Sequence, residues 1–264
     1  MEKIYSFQNP KIKNLNKLHK NQERKKQKLF LVEGYKEINM AIEAGYELDS
    51  LFYCPNLGLK PEIINIAEKN KSIYEITREI FARIAYREKS DGLMGVFHQK
   101  KLELKNLNPT KNELILVLES IEKPGNLGAI LRTSDAASVY AILVCDPKTD
   151  IFNPNIVRSS VGCLFTNKLI TCTNEEAFQW LRKYEIKIFA AAIHPQSVPY
   201  HKIDYTKNSV AIVLGTEADG LTDYWITHCD EKIIIPMRGK IDSLNVSNSA
   251  AILAYEVMRQ KNII

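Results

Sequence analysis

No stretch of this chain is apolar for long enough to cross a bilayer as a helix. The first residues, Met1-Glu2-Lys3-Ile4-Tyr5-Ser6-Phe7-Gln8, lack an apolar core segment, so a secretory signal is not expected. Cysteine is sparse and unpatterned. Cys54, Cys145, Cys163, Cys172 and Cys229 are odd in number, widely spread and contain no C-x-x-C pair. Neither a disulfide framework nor a zinc site is indicated, no metal is expected, and a reduced, cytoplasmic setting fits. The histidines are scattered as well. His194 and His201 stand too far apart for a helical ligand pair and read as loop residues. Two nucleotide-binding fingerprints are missing, G-x-G-x-x-G and G-x-x-x-x-G-K-[ST]. Internal repeats and low-complexity segments are missing too. What remains is an ordinary globular composition, 45% hydrophobic and 25% charged, in 264 residues. That is enough for one large domain or two modest ones.

The net charge of +5 is unevenly distributed. Between residues 11 and 28 stand Lys11, Lys13, Lys17, Lys20, Arg24, Lys25, Lys26 and Lys28 against one acid, Glu23, which gives +7 there and leaves −2 for the rest. A local excess of this kind is the footprint of phosphate contact, and its plainer alternative is a solvated lysine-rich helix face.

Two halves separate around residues 101–112, a polar, proline-containing stretch without sustained period that reads as a linker. Before it, strand-length apolar runs at 29–32, 51–54, 72–76 and 94–97 alternate with helical patterns at 34–44, 61–69 and 78–85, predicting a small α/β sandwich. After it, strands are predicted at 114–118, 141–145, 187–192, 210–215 and 232–235, with helices opening near Asn126, Pro154, Glu175, Thr222 and Val246. Runs such as Ala211-Ile212-Val213-Leu214 lack polar alternation, which suits a parallel sheet covered on both faces. On pattern alone, this half predicts a doubly wound fold with unthreaded connections.

Three apolar strands end in loops of small and polar residues. Leu114 to Leu118 leads to Pro124-Gly125-Asn126-Leu127-Gly128-Ala129-Ile130-Leu131-Arg132-Thr133. Val210 to Leu214 leads to Gly215-Thr216-Glu217-Ala218-Asp219-Gly220-Leu221. Ile233-Ile234-Ile235-Pro236-Met237 precedes Ser243-Leu244-Asn245-Val246-Ser247-Asn248-Ser249, which opens the last helix. Loops at the carboxyl ends of apolar strands are where open α/β sheets bind ligands. Small polar residues at the last junction predict backbone N–H groups left available to a ligand rich in acceptors, against the alternative of an ordinary capped helix.

In this order and spacing the three segments resemble the motifs of the SpoU/TrmH family of SPOUT methyltransferases. Asn153-Pro154-Asn155-Ile156-Val157-Arg158-Ser159-Ser160-Val161-Gly162 resembles a connecting element of that family. The likeness runs from about residue 114 to 260. It departs at Ser138 and Ala218, where glycine is common. More weakly, Phe30-Leu31-Val32-Glu33-Gly34 after the basic segment resembles the ribosomal-protein-like α/β substrate-binding domain that many members carry. The resemblance implies domains at 1–100 and 113–264 around the linker. It also implies an α/β SPOUT domain with a parallel sheet and a deep C-terminal trefoil knot, in place of unthreaded connections.

The activity so implied is methyl transfer from S-adenosylmethionine to a ribose 2′-hydroxyl, in ribosomal RNA because of the appended domain, by a homodimer packed through the knotted domain. The apolar stripe Ala250, Ala251, Leu253, Ala254, Val257 and Met258 offers either that contact or intramolecular core. Alternatives are a tRNA methyltransferase, a resistance methyltransferase of the same family, and a catalytically silent RNA-binding assembly protein. By resemblance, Leu214, Gly215, Ile235, Ser243, Leu244 and Asn245 line the donor pocket. Arg132, Asn126 and Glu217 carry catalysis: Arg132 as base or orienting group, Asn126 positioning it or the hydroxyl, Glu217 fixing the arginine. A guanidinium resists deprotonation, which favours orientation over proton removal. RNA contacts are expected at Lys11, Lys13, Arg24, Lys25, Lys26, Lys28 and Arg158. Arg158 and Ser160 either hold phosphate or cap the helix from Asn155.

Overall fold

The computed structural model describes residues 2–58, 72–86, 90–216 and 219–262. The helix predicted at 61–69, and both Glu217 and Ala218, lie outside them. The chain forms two compact units, Met1–Lys100 with Asp150–Thr166, and Lys101–Thr149 with Asn167–Ile264.

In the first unit, strands β1 (Glu2–Ile4), β2 (Leu29–Glu33), β3 (Leu48–Tyr53), β4 (Ile73–Ile76) and β5 (Leu93–His98) form a sheet ordered β1-β4-β3-β5-β2. β5 runs antiparallel to β2 and β3, and the remaining pairs are parallel. The helices are α1 (Pro10–Leu18), α2 (Asn21–Gln27), α3 (Tyr35–Glu43) and α4 (Arg78–Ile84). The Asn9 side chain accepts the Lys11 N–H at 2.9 Å and Pro10 occupies the first turn, so α1 starts where its cap dictates. Ile12, Leu15 and Leu18 recur at helical spacing and bury against Phe52, Ile76, Ile80 and Phe81. Lys13, Lys17 and Lys20 stand exposed between them. The basic segment is therefore two short helices, of which α1 has an apolar face and α2 buries only Arg24.

Residues 150–166, counted with the second domain from sequence, cluster with this unit. They carry helices α6 (Pro154–Ser159) and α7 (Cys163–Thr166); α5 belongs to the second unit and is given below. Phe152, Ile156, Val157, Leu164 and Phe165 are all buried. So apolar a segment needs cover, and Phe30 supplies part of it, its ring centroid 4.6 Å from that of Phe152 and 6.2 Å from that of Phe165.

In the second unit, β6 (Leu114–Glu119), β7 (Ala141–Cys145), β8 (Leu169–Cys172), β9 (Lys187–Ala191), β10 (Val198–Pro199), β11 (Val210–Leu214) and β12 (Glu231–Ile234) form a sheet ordered β10-β12-β9-β11-β6-β7-β8. Every pairing in it is parallel. β6, β7 and β11 are buried at each position, as strands covered on both faces must be. Helices α5 (Pro124–Ala136), α8 (Asn174–Lys183), α9 (Asp223–His228) and α10 (Val246–Gln260) complete the unit. Of the apolar stripe on α10, Ala250, Leu253, Ala254, Val257 and Met258 are buried within the chain, where the helix packs on α5, β6 and β11. The intramolecular alternative accounts for that stripe. Burial of Leu253, Val257 and Met258 stabilises the fold by roughly 1.5–3 kcal/mol each.

The predicted linker is largely exposed but anchored to the second unit's core by Leu102, Leu104 and Leu107. Leu102 bridges Ile170 in parallel and Leu107 is buried in the second unit's core. β8 and β10 were not anticipated. β8 is four residues long and only half buried on its outer end, and β10 is two residues containing a proline, too little for a period to register.

Candidate active site

Because the strands are parallel, their carboxyl ends share one edge. Leu118, Leu214 and Ala191 are register partners across β6, β11 and β9, and Ala191 partners Ile233 of β12. The three loops singled out from sequence all leave this edge, the first two from the neighbouring strands β6 and β11 and the third from β12, on the far side of β9. They are joined by a contact between the first and the third: Asn245 Nδ2 donates to Asn126 Oδ1 at 3.3 Å. Asn126 lies in the first turn of α5, and Asn245 is the N-cap of α10.

The Asn245 side chain also accepts from Ser247 N–H at 2.9 Å and Ser247 Oγ at 2.6 Å, and the Asn245 carbonyl takes the Asn248 and Ser249 N–H groups at 3.0 Å each. The expectation of available N–H groups at this junction is thus corrected for these three residues. The asparagine caps the turn instead, as its short amide chain does best. Ser243 is exposed, its hydroxyl donating to Asp242 Oδ1 at 3.3 Å. Leu244 and Ile235 are half-buried and offer apolar surface at an otherwise polar edge. Leu214 is buried in the sheet, so only its backbone end reaches the loop.

Gly215 is required by the loop itself. Thr216 and Gly220 exchange backbone hydrogen bonds of 3.0 and 3.2 Å, folding the loop back on its start. A Cβ at position 215 would lie 2.1 Å from the Gly220 carbonyl oxygen and 2.6 Å from the Leu221 nitrogen. No side chain fits there.

Arg132 is exposed on α5, six residues beyond Asn126. On an α-helix six residues advance about 9 Å and turn the side chain roughly 120° away. Asn126 therefore faces Asn245 while Arg132 projects to one side, and a direct positioning of Arg132 by Asn126 is not favoured by this geometry. Glu217, proposed to hold the arginine, lies outside the described residues.

One residue escaped the sequence reading. Glu119 ends β6 and is 1% exposed. Its Oε1 accepts from the Thr222 hydroxyl at 2.7 Å and from Asn174 Nδ2 at 2.8 Å, and its Oε2 accepts the Thr222 N–H at 2.8 Å. Asn174 in turn accepts from Trp225 Nε1 at 2.7 Å. Thr222 follows the Gly220–Leu221 pair that presses on Gly215, so this carboxylate anchors the far end of the second-motif loop to the first-motif strand. A carboxylate closing an apolar run was the available signal. Glu119→Gln presents an amide N–H₂ to groups that are themselves donors. It is expected to lower stability by roughly 1–3 kcal/mol in urea unfolding and to weaken donor binding.

The RNA-contact residues divide. Lys13, Lys25, Lys26 and Lys28 are exposed. Lys11 pairs with Glu2 at 3.4 Å and lies 4.7 Å from the Tyr74 ring centre. Arg24 is corrected: it is 1% exposed, with Nε donating to Asp150 Oδ2 at 2.7 Å and Nη1 to the Leu18 and His19 carbonyls at 2.9 and 2.8 Å. A guanidinium so buried and engaged is not presented to phosphate. For Ser160 the capping alternative holds: it is the C-cap of α6, buried with its hydroxyl on the Val157 carbonyl at 3.0 Å. Arg158 is exposed, its Nη2 donating to Asn155 Oδ1 at 2.9 Å.

A parallel α/β sheet with three small-residue loops at one carboxyl edge defines a ligand-binding α/β domain of the kind many enzymes use. Residues 113–255 match the SpoU rRNA Methylase family, and residues 9–95 match the MRM3-like substrate binding domain. The chain belongs to the SpoU rRNA methylase family. It is 26% identical over 257 residues to 23S rRNA (guanosine(2553)-2′-O)-methyltransferase RlmP of Bacillus subtilis, covering 97% of this chain and 99% of that one. The crystal structure of an AdoMet-bound rRNA methyltransferase from Sinorhizobium meliloti superposes with a TM-score of 0.91 at 27% identity, over 98% of this chain and 97% of that one. An RNA 2′-O ribose methyltransferase structure matches with a TM-score of 0.85 at 33% identity, over 99% and 100%. Among the described residues no group of histidine, cysteine and carboxylate side chains could hold a metal ion, and no helix is long and apolar enough to cross a membrane.

Proposed function

We propose that this protein transfers the methyl group of S-adenosylmethionine to a ribose 2′-hydroxyl of 23S ribosomal RNA. The observation that carries the reading is the Asn126–Asn245 contact, which ties the first motif to the third at the carboxyl edge of the parallel sheet. The residues there suit the donor. Leu244 and Ile235 offer apolar flanks for a base, the backbone of Gly215 and the polar Ser243 and Asn245 surround them, and Asp242 places a carboxylate nearby for a cationic ligand. When bound, the donor supplies an electrophilic sulfonium methyl.

The chain's own task is to hold the hydroxyl in line and assist loss of its proton, since a ribose hydroxyl is a weak nucleophile. Arg132, always charged, orients the hydroxyl and its phosphate and offsets developing charge. Lys13, Lys25, Lys26 and Lys28 hold the RNA backbone. The knotted path of the family would pass through the loops at Gly215 and Ser243. A homodimer would use the face of α10 that the chain leaves uncovered, where Tyr255 is 44% exposed.

Calorimetry of the full chain should show S-adenosylmethionine binding. Incubation with unmodified 23S RNA should then yield one alkali-resistant linkage, and sedimentation should give a dimer. Heat with ATP or NAD but not with S-adenosylmethionine would overturn the reading.

A further inference from the structure

The first unit carries a shallow dish that the methyl-transfer site does not use. Leu31, Met94 and Val157 form its floor, and His19, Tyr86 and Arg158 form its rim. Its free space is about 290 Å3, part of it open solvent, with room inside for roughly one water. Such a shape does not swallow a cofactor. It offers a surface to lie against.

The rim is made of flat groups. The His19 and Tyr86 rings are nearly parallel, 19° apart with centroids 6.4 Å from each other, and the Arg158 guanidinium lies 5.3 Å from the Tyr86 ring centre. Despite these neighbours Tyr86 is 47% exposed. It is held from behind, because its backbone N–H donates to Glu33 Oε2 at 2.7 Å. His19 donates from Nε2 to the Ile84 carbonyl at 3.2 Å, which fixes its ring. Burial lowers the His19 pKa, so the ring is neutral at physiological pH.

Charge decides what the dish takes. Its lining includes one cation, Arg158, and one buried carboxylate, Glu33, beside apolar side chains. A phosphate would meet the carboxylate's field, whereas a neutral, planar group would meet only π faces and methyl groups. We propose that this dish is a stacking site for one unpaired base of the RNA substrate, with Tyr86 as the platform and Arg158 and His19 bounding it. Aromatic and guanidinium planes are the groups on which unpaired RNA bases stack. The site rests on the reading of the chain as an RNA methyltransferase. It adds that the N-terminal unit selects an unpaired nucleotide, beyond gripping the backbone through its lysines.

The probe is a short single-stranded RNA carrying one 2-aminopurine, whose fluorescence is quenched on stacking, with an RNA duplex of equal length for comparison. The wild-type full chain should quench the probe and prefer it to the duplex. Tyr86→Phe should preserve both properties. Tyr86→Leu, which keeps apolar cover on the dish, should abolish the quench and weaken single-strand binding by at least about fivefold, with the salt dependence unchanged. Neutralising Lys25, Lys26 and Lys28 together should do the reverse, flattening the salt dependence and sparing the quench. Thermal melts confirm that each variant is folded. An unaltered quench in Tyr86→Leu overturns the stacking site, as does RNA binding by the wild type without any quench. Both leave the methyltransferase reading intact. Absence of all RNA binding by the wild type would remove the reading and the site together.

Discussion

Arg132→Ala is expected to slow single-turnover methyl transfer by roughly 10²- to 10³-fold, the range for losing a positioned acid–base or charge-stabilising group. The fold should tolerate the change. Arg132 is exposed on α5, and alanine is the best helix former at such a position. Affinity for S-adenosylmethionine should fall by less than severalfold, because the residues that suit the donor stand on the second and third loops and only Asn126 of the first touches them. Arg132→Lys should also be slow, since a single ammonium cannot meet a hydroxyl and a phosphate through a planar fork. The measurement is transfer to unmodified 23S RNA under enzyme excess, with resistance to alkaline hydrolysis reporting the ribose. A near wild-type rate would shift the chemical role to Asn126 or to the substrate's own phosphate.

The second large effect falls on stability. Arg24→Ala should lower the unfolding free energy by roughly 3–5 kcal/mol, the typical result of removing one partner of a buried ion pair. The Arg24 side chain is 1% exposed and that of Asp150 10%, and the same guanidinium satisfies the Leu18 and His19 carbonyls at the end of α1. Against a total of roughly 5–15 kcal/mol for a typical domain, this is a large share. Lys25→Ala, one position along and exposed, should stay within about 0.5 kcal/mol. Urea unfolding followed by circular dichroism separates them. Equal midpoints would mean that the buried pair contributes nothing. RNA binding lost in Arg24→Ala would then trace to a displaced α1, not to a missing phosphate contact.

Arg24 also shows where sequence reading stops. Within Lys20 to Lys28 nothing local marks one cation as buried. Its partner Asp150 is 126 residues away, and only the tertiary fold brings them together. The strands β2, β5, β6, β7, β9, β11 and β12 were legible because each is an uninterrupted apolar run between turn residues. β1, β8 and β10 were not: β1 and β10 are too short to display a period, and in β8 a threonine follows only two apolar residues. The loops of the site were legible as motifs, and the parallel sheet follows from fully apolar strands. The partnership of Asn126 with Asn245 depends on strand order, which no local pattern encodes. Glu119 was overlooked because it stands one residue past the apolar run that was taken to end at Leu118. Gly215 was assigned to the donor pocket by resemblance, and the neighbour that excludes a side chain there is the protein's own backbone.

The interleaving of the two units bears on the order in which the protein can be made. The first unit needs Asp150–Thr166, so a ribosome that has released only the first hundred residues exposes Phe30 and Arg24 without their covers. The central strand pair of the second sheet joins Leu114 to Val210, and the contact that closes the site needs Asn245. Sequence-distant pairings of this kind form slowly. The growing chain should therefore leave the first unit unfinished until Thr166 has emerged and the second until synthesis is nearly over, with donor binding acquired only as the last helix emerges. Cleavage within residues 101–112 would not release a self-sufficient N-terminal piece, since the Asp150–Thr166 segment it needs would stay on the other.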